Sequence, residues 1–165
     1  MEERVFVLNQ FCTLLLPALA LFVSFLLGRE SLKLRALLFS QLGSLIVATG
    51  AFIASCFKPC DWRFSPLANI LDLRFDFFSS CLLLVIAFIA SVVLFYSERY
   101  LLGDKNRLSF IQYLVTLSTV SSLLVVSDNL VLSLLCWNGI SIILWCLLAL
   151  RQEARGAAKL VLLHH

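Results

Sequence analysis

The sequence predicts an all-α helical bundle embedded in a membrane, and three observations carry that prediction. Of its 165 residues, 61% are hydrophobic and only 14% charged, with a mean hydropathy of +0.99. A soluble domain is about half apolar and a quarter charged. Five uncharged runs follow one another, each near the ~20 residues that cross a bilayer core. All 13 Lys and Arg, all 10 Asp and Glu and both His fall at the ends of these runs or between them.

Taken in order, Met1-Glu2-Glu3-Arg4 is a mixed-charge start, unlike the basic start of a secretory signal or the acid-poor start of a transit peptide. The first span is expected over 5–28, with Pro17 tolerated inside because neighbouring helices can satisfy the freed carbonyl. A charged turn around Arg29–Arg35 leads to a second span over 36–57. Its Gly43, Ser44, Ala48, Gly50 and Ala51 suit close helix contact. Residues 58–76 form the longest loop, whose Trp62, Phe64 and Phe75 are expected at the headgroup level.

The third span is expected over 77–97 and the fourth over 108–127. The hydroxyls of the fourth (Thr116, Ser118, Thr119, Ser121, Ser122) are expected to bond their own backbone or a neighbouring helix rather than line an ion path. The fifth span covers 129–150. Beyond a polar stretch, residues 157–165 read as the truncated start of a sixth helix, too short to cross a bilayer. The whole is one membrane domain.

Other functional classes find little support. The net charge of +3 is scattered over short loops, so no basic stripe suggests nucleic acid. Cys12, Cys81, Cys136 and Cys146 lie in apolar runs, where a thiol behaves as a small hydrophobe. Cys56 and Cys60 would pair only on an oxidising side, and no CxxC pattern is present. His164-His165 offers two ligands without companions, so no metal site is assigned. A glycine-rich phosphate loop is absent, as is a cysteine set for an iron–sulfur cluster.

Loop charge sets an orientation. Arg4, Lys58, Arg63 and Arg74 fall on one side, whereas Arg29, Lys33, Arg35, Arg99, Lys105, Arg107, Arg151, Arg155 and Lys159 fall on the other. The richer side is expected to face the cytoplasm or matrix, leaving the N terminus outside.

Within the fifth span, Trp137-Asn138-Gly139 interrupts the apolar run. Asn138 would lie near the membrane midplane, where a polar side chain is costly without a partner and so raises a functional question. No ionisable group accompanies it within the five spans. Asparagine can hydrogen-bond a water wire, but it cannot take up and release a proton.

Three stretches carry a resemblance to a known family. Leu73-Arg74-Phe75-Asp76-Phe77-Phe78 opens a span ending in Phe95-Tyr96-Ser97-Glu98-Arg99-Tyr100, with Gly103-Asp104-Lys105-Asn106-Arg107 after it. Ser127-Asp128-Asn129-Leu130 precedes Cys136-Trp137-Asn138-Gly139, and Gly156-Ala157-Ala158-Lys159 follows. In order and spacing these resemble the N-terminal portion of subunit 5 of proton-pumping NADH:ubiquinone oxidoreductase, respiratory complex I. That subunit is part of an antiporter-like family that also includes Mrp-type sodium/proton antiporters and membrane hydrogenase subunits. The similarity is strongest over 73–159.

The resemblance implies a membrane-arm subunit, not catalytic alone, in the mitochondrial inner membrane or a bacterial-type plasma membrane. NADH, FMN, iron–sulfur clusters and ubiquinone would sit on partner subunits. It places Trp137, Asn138 and Lys159 on proton-path positions, with Asn138 where the family carries a proton-transferring glutamate. Family members continue through further helices, so a second chain continuing subunit 5 is an expected partner beside membrane lipid. A fragment of an Mrp-type antiporter or hydrogenase, or a small membrane scaffold or assembly protein, are the alternatives.

Overall fold

A computed structural model describes the chain apart from residues 1, 27–29, 58–61, 65–71, 104–105 and 164–165. It gives no side-chain environment for 2–11, 25–26, 62, 64 and 151–163. Five helices account for most of it: α1 (Glu2–Leu26), α2 (Glu30–Phe57), α3 (Phe77–Tyr100), α4 (Arg107–Val126) and α5 (Leu130–Leu163). Two short strands, β1 (Trp62–Phe64) and β2 (Leu73–Phe75), pair antiparallel between α2 and α3. The all-α membrane class holds. Among the described residues, α2, α3, α4 and the Leu130–Leu150 part of α5 are long and apolar enough to cross a membrane, and α1 contributes the apolar stretch Cys12–Ser24.

The packing faces mix small and hydroxylated residues with Leu, Ile and Val. On α2 the buried positions are Leu37, Gln41, Ser44, Ala48, Ala51 and Ser55, a spacing of three and four that forms one stripe. On α3 they include Ser80, Leu83, Ala87, Ser91, Leu94 and Ser97, and on α4 Ile111, Val115, Ser118, Ser122 and Val126. Large apolar side chains point the other way: Phe22, Phe39, Ile46, Phe57, Phe78 and Phe88 are all exposed. In lipid, apolar surface gains nothing by turning inward, so association rests on close backbone approach and interhelical hydrogen bonds, which small hydroxylated residues allow.

Helices α1, α2, α3 and α4 pack on one another, while α5 packs chiefly on α4. A Cβ added at Gly139 would meet Val120 of α4 at 3.6 Å, an ordinary contact distance. Ser44 and Ala48 lie in the α2 interface as expected, but Gly50 does not: a Cβ there would meet nothing within 4 Å. Pro17 is accommodated inside α1, as expected.

The 58–76 stretch differs from its expectation as a plain loop. Arg63 pairs with Arg74 in the β1–β2 register, and Leu73 forms a further bridge with Ser127 at the α4–α5 turn. Phe75, expected at the headgroup level, is instead fully buried in a cluster with Leu14, Leu73, Leu83 and Val126. The β-pairing turns alternate residues to one face, which sends Leu73 and Phe75 inward together. The side-chain positions of Trp62 and Phe64, and residue Cys60, lie outside the described residues, while Cys56 carries a free, exposed thiol.

At the other end, α5 continues as one helix through Leu163, so its backbone shows no break before the stretch read as a separate stub. Residues 151–163 contain no proline, and Ala157, Ala158, Glu153 and Lys159 are good helix formers. The side chains of Lys159, His164 and His165 lie outside the described residues.

Candidate functional site

Two of the three stretches that carry the family resemblance meet at one end of the bundle. Asp76 caps α3: its carboxylate accepts from the Ser79 backbone N–H at 2.7 Å and from the Ser79 hydroxyl at 2.8 Å. Arg74 lies 3.8 Å from the same carboxylate. Burial pushes the Asp76 carboxyl upward, but the two Ser79 hydrogen bonds and the Arg74 charge outweigh it and hold the group below the usual carboxylate range. Asp128, more than fifty residues on, donates its backbone N–H to the Asp72 carbonyl at 2.8 Å and faces Arg63 at 3.8 Å. Asn129 then starts α5, its side-chain oxygen accepting from the Val131 N–H at 3.0 Å. The hairpin thus clasps the α4–α5 turn to the start of α3.

The opposite end carries an ion pair between Glu98 and Arg107 at 3.5 Å. With Glu30, Ser31 and Arg35 they line a cavity of about 450 Å³. Gly103, at φ 95, makes the turn between α3 and α4 there, a conformation that disfavours any side chain.

Between these ends, polar pairs tie the helices at membrane depth. The Ser118 hydroxyl of α4 lies 3.3 Å from the Gln41 side-chain oxygen of α2 and 2.9 Å from the Val115 carbonyl. Gln112 of α4 donates to Ser24 of α1 at 3.3 Å. Ser44 donates to the Thr13 carbonyl at 3.2 Å, and Ser55 donates to Ser80 at 3.0 Å. Thr116 and Thr119 bond carbonyls of their own helix at 2.8 Å. Thr116, Ser118 and Thr119, three of the five hydroxyls named in the fourth span, therefore do what was expected of them. Gln41 and Gln112 were not singled out in the sequence, although a lone amide inside an apolar run was the available signal.

Asn138 lies on the outward face of α5, with Leu134, Trp137, Ser141, Trp145 and Leu148, all exposed. Its amide donates to the Leu134 carbonyl at 2.8 Å, and Ser141 donates to the Trp137 carbonyl at 3.1 Å. This chain's own helices do not enclose Asn138. Charged side chains are at helix ends wherever they are described, and Asn138 has none beside it among the described residues. Lys159 is too far along α5 to be brought to it, since 21 helical residues separate the two by about 30 Å.

A multi-pass helical membrane protein is the class that this fold defines, with small polar residues cementing its core and a hairpin locking one end. The family described as NADH-Ubiquinone oxidoreductase (complex I), chain 5 N-terminus matches residues 64–111. That stretch runs from β1 through the Asp76 cap and the whole of α3 to the first turn of α4. NADH-ubiquinone oxidoreductase chain 5 of Anopheles quadrimaculatus is 29% identical over 95 residues, covering 58% of this chain and 16% of the relative. Chain 5 of Dictyostelium citrinum is 25% identical over 166 residues, covering 92% of this chain and 25% of the relative. NADH-quinone oxidoreductase subunit L of Mycobacterium tuberculosis is 33% identical over 90 residues, 53% of this chain and 14% of the relative. The chain is similar to the N-terminal part of these complex I proteins and spans a quarter or less of their length.

Proposed function

We propose that the chain is a membrane-arm subunit of a proton-pumping NADH:ubiquinone oxidoreductase, providing the first five helices of its subunit 5 module. The observation that carries this reading is the match over 64–111, which falls on the Asp76-capped α3 and the turn into α4. The role is structural. Residues on which the family moves protons are represented here by Trp137, Asn138 and Lys159, and Asn138 has no titrating proton. In a low-dielectric site a glutamate would couple to a neighbouring lysine by about several kcal/mol, and asparagine removes that coupling. NADH, FMN, iron–sulfur clusters and ubiquinone belong to the other subunits in this reading. The N terminus, the hairpin and the Asp128 turn face the outer or intermembrane-space side of a mitochondrial-type inner membrane.

A second chain continues the module and packs on the exposed face of α5. The support is that face itself: Leu130–Leu150 is the least enclosed of the candidate spans, and Leu134, Leu135, Trp137, Trp145 and Leu148 are each more than half exposed. Gentle detergent extraction followed by native electrophoresis and peptide sequencing tests the reading. Migration with flavin and iron–sulfur subunits, together with a companion bearing midmembrane lysines, is the expected result. A small species composed of this chain alone would overturn it.

A further inference from the structure

The hairpin end of the bundle carries a row of four charges. In the β1–β2 register Arg63 stands directly opposite Arg74, on the strand face away from Leu73 and Phe75. Opposed side chains start about 5 Å apart, and like charges in that position destabilise a strand pair. Each guanidinium is matched by a carboxylate from a different element. Arg63 lies 3.8 Å from Asp128 of the α4–α5 turn, and Arg74 lies 3.8 Å from Asp76 at the start of α3. The order along the row is therefore minus, plus, plus, minus, with the repulsive contact in the middle.

The four side chains are between 32% and 66% exposed, so water and protons reach them. At such exposure an ion pair contributes little on its own, which makes the central repulsion comparable with either attraction. Asp72 is the further charged residue beside the row, and its carbonyl accepts the Asp128 backbone N–H at 2.8 Å. The last turns of α2 and α4 and the first turn of α5 add no charged side chain. Lys58, Asp61 and the side chains of Glu2, Glu3 and Arg4 lie outside the described residues.

We propose that the hairpin is an acid-releasable strap on the α4–α5 turn. It is closed while Asp76 and Asp128 are both ionised, and it loosens when Asp128 gains a proton and leaves Arg63 and Arg74 facing each other. Asp128 is then a positioning residue: by neutralising Arg63 it sets how firmly the start of α5 is held. The strap stands independently of the assembly reading. Within that reading, the helix it steers is the one that meets the second chain.

Hydrogen exchange at the residue 128 amide, the group held by the Asp72 carbonyl, reads the strap directly. The measurement uses the full chain in its native membrane assembly, corrected for intrinsic rates, with protection of α3 as the check on folding. Asp128→Asn should exchange there about threefold faster, the size expected of one opposed like-charge pair. Adding Arg63→Gln, or Arg74→Gln in its place, should reverse most of that rise. The Arg74 rescue is decisive, because a plain Arg63–Asp128 bridge would not respond to it. In the unaltered chain protection at this amide should be present at pH 7 and lost as pH falls through the carboxylate range, and Arg63→Gln/Asp128→Asn should keep it. An unchanged rate in Asp128→Asn, a failure of both rescues, or full acid dependence in Arg63→Gln/Asp128→Asn would each overturn the proposal. Should Asp128→Asn alone not accumulate, recovery on adding Arg63→Gln supports the strap, and no recovery overturns it.

Discussion

At Asp76 one carboxylate holds a helix start, a serine hydroxyl and an arginine. Asp76→Ala removes the cap, and loss of such a cap costs about 1 kcal/mol of stability. The same carboxylate gives a pH dependence with a defined sign. Its folded pKa lies below the unfolded one, so its stabilisation is present above the ordinary carboxylate range and is lost as pH falls through the folded value. Thermal unfolding in detergent followed from pH 7 downward should show a loss that is absent in Asp76→Asn. A second residue pair predicts an asymmetry. Ser118→Ala takes from the buried Gln41 side chain its polar partner across the helices and should cost about 1–3 kcal/mol. Gln41→Leu removes the amide altogether while Ser118 keeps its Val115 carbonyl, so its cost should be near the ~0.6 kcal/mol typical of interhelical bonds in a membrane. Denaturation in mixed micelles compares the two, and a larger effect from Gln41→Leu would contradict the geometry.

Among the elements, the β1–β2 hairpin contributes far more than its six residues suggest. Phe75 is fully enclosed between Leu14 of α1, Leu83 of α3 and Val126 of α4, so it joins three helices at one end. Phe75→Ala should cost about 3–5 kcal/mol and release the α4–α5 turn. Increased proteolysis around Ser127 would report that release, whereas a merely superficial aromatic would leave cleavage unchanged. The helices themselves were legible from the sequence because uncharged runs of about 20 residues have one physical meaning in a bilayer. The α3 start at Phe77 agrees with its expectation, and that of α4 at Arg107 agrees to within one residue. The hairpin was not legible: its strands are three residues long, too short for an alternation to register, and their stability comes from Ser127, some fifty residues away. The continuous helix beyond Leu150 was also missed, since charge there suggested an exit from the membrane and charge alone does not end a helix.

For the molecule as a whole, the arrangement of polar groups separates scaffold from chemistry. Among the described residues, buried positions within the spans carry Ser, Thr, Gln and the Cys136 thiol but no carboxylate, amine, guanidinium or imidazole, and Asn138 faces outward. In the assembly reading this predicts that Asn138→Ala leaves the proton-per-electron ratio of the intact complex unchanged. A lowered ratio in reconstituted vesicles would show that the amide still serves a proton path. The outward position of Asn138 was not deducible from its own sequence neighbourhood, because Trp137 and Trp145 are apolar enough to suit either lipid or protein.

What the sequence determined by itself is the class, the approximate places of the apolar spans and the family resemblance, because each depends on local runs of apolar residues and on motifs read along the chain. The tertiary structure decided which face of each span turns inward. Every face is apolar enough for lipid, so burial is settled by where small residues let backbones meet and where Gln41–Ser118 and Gln112–Ser24 find one another across helices.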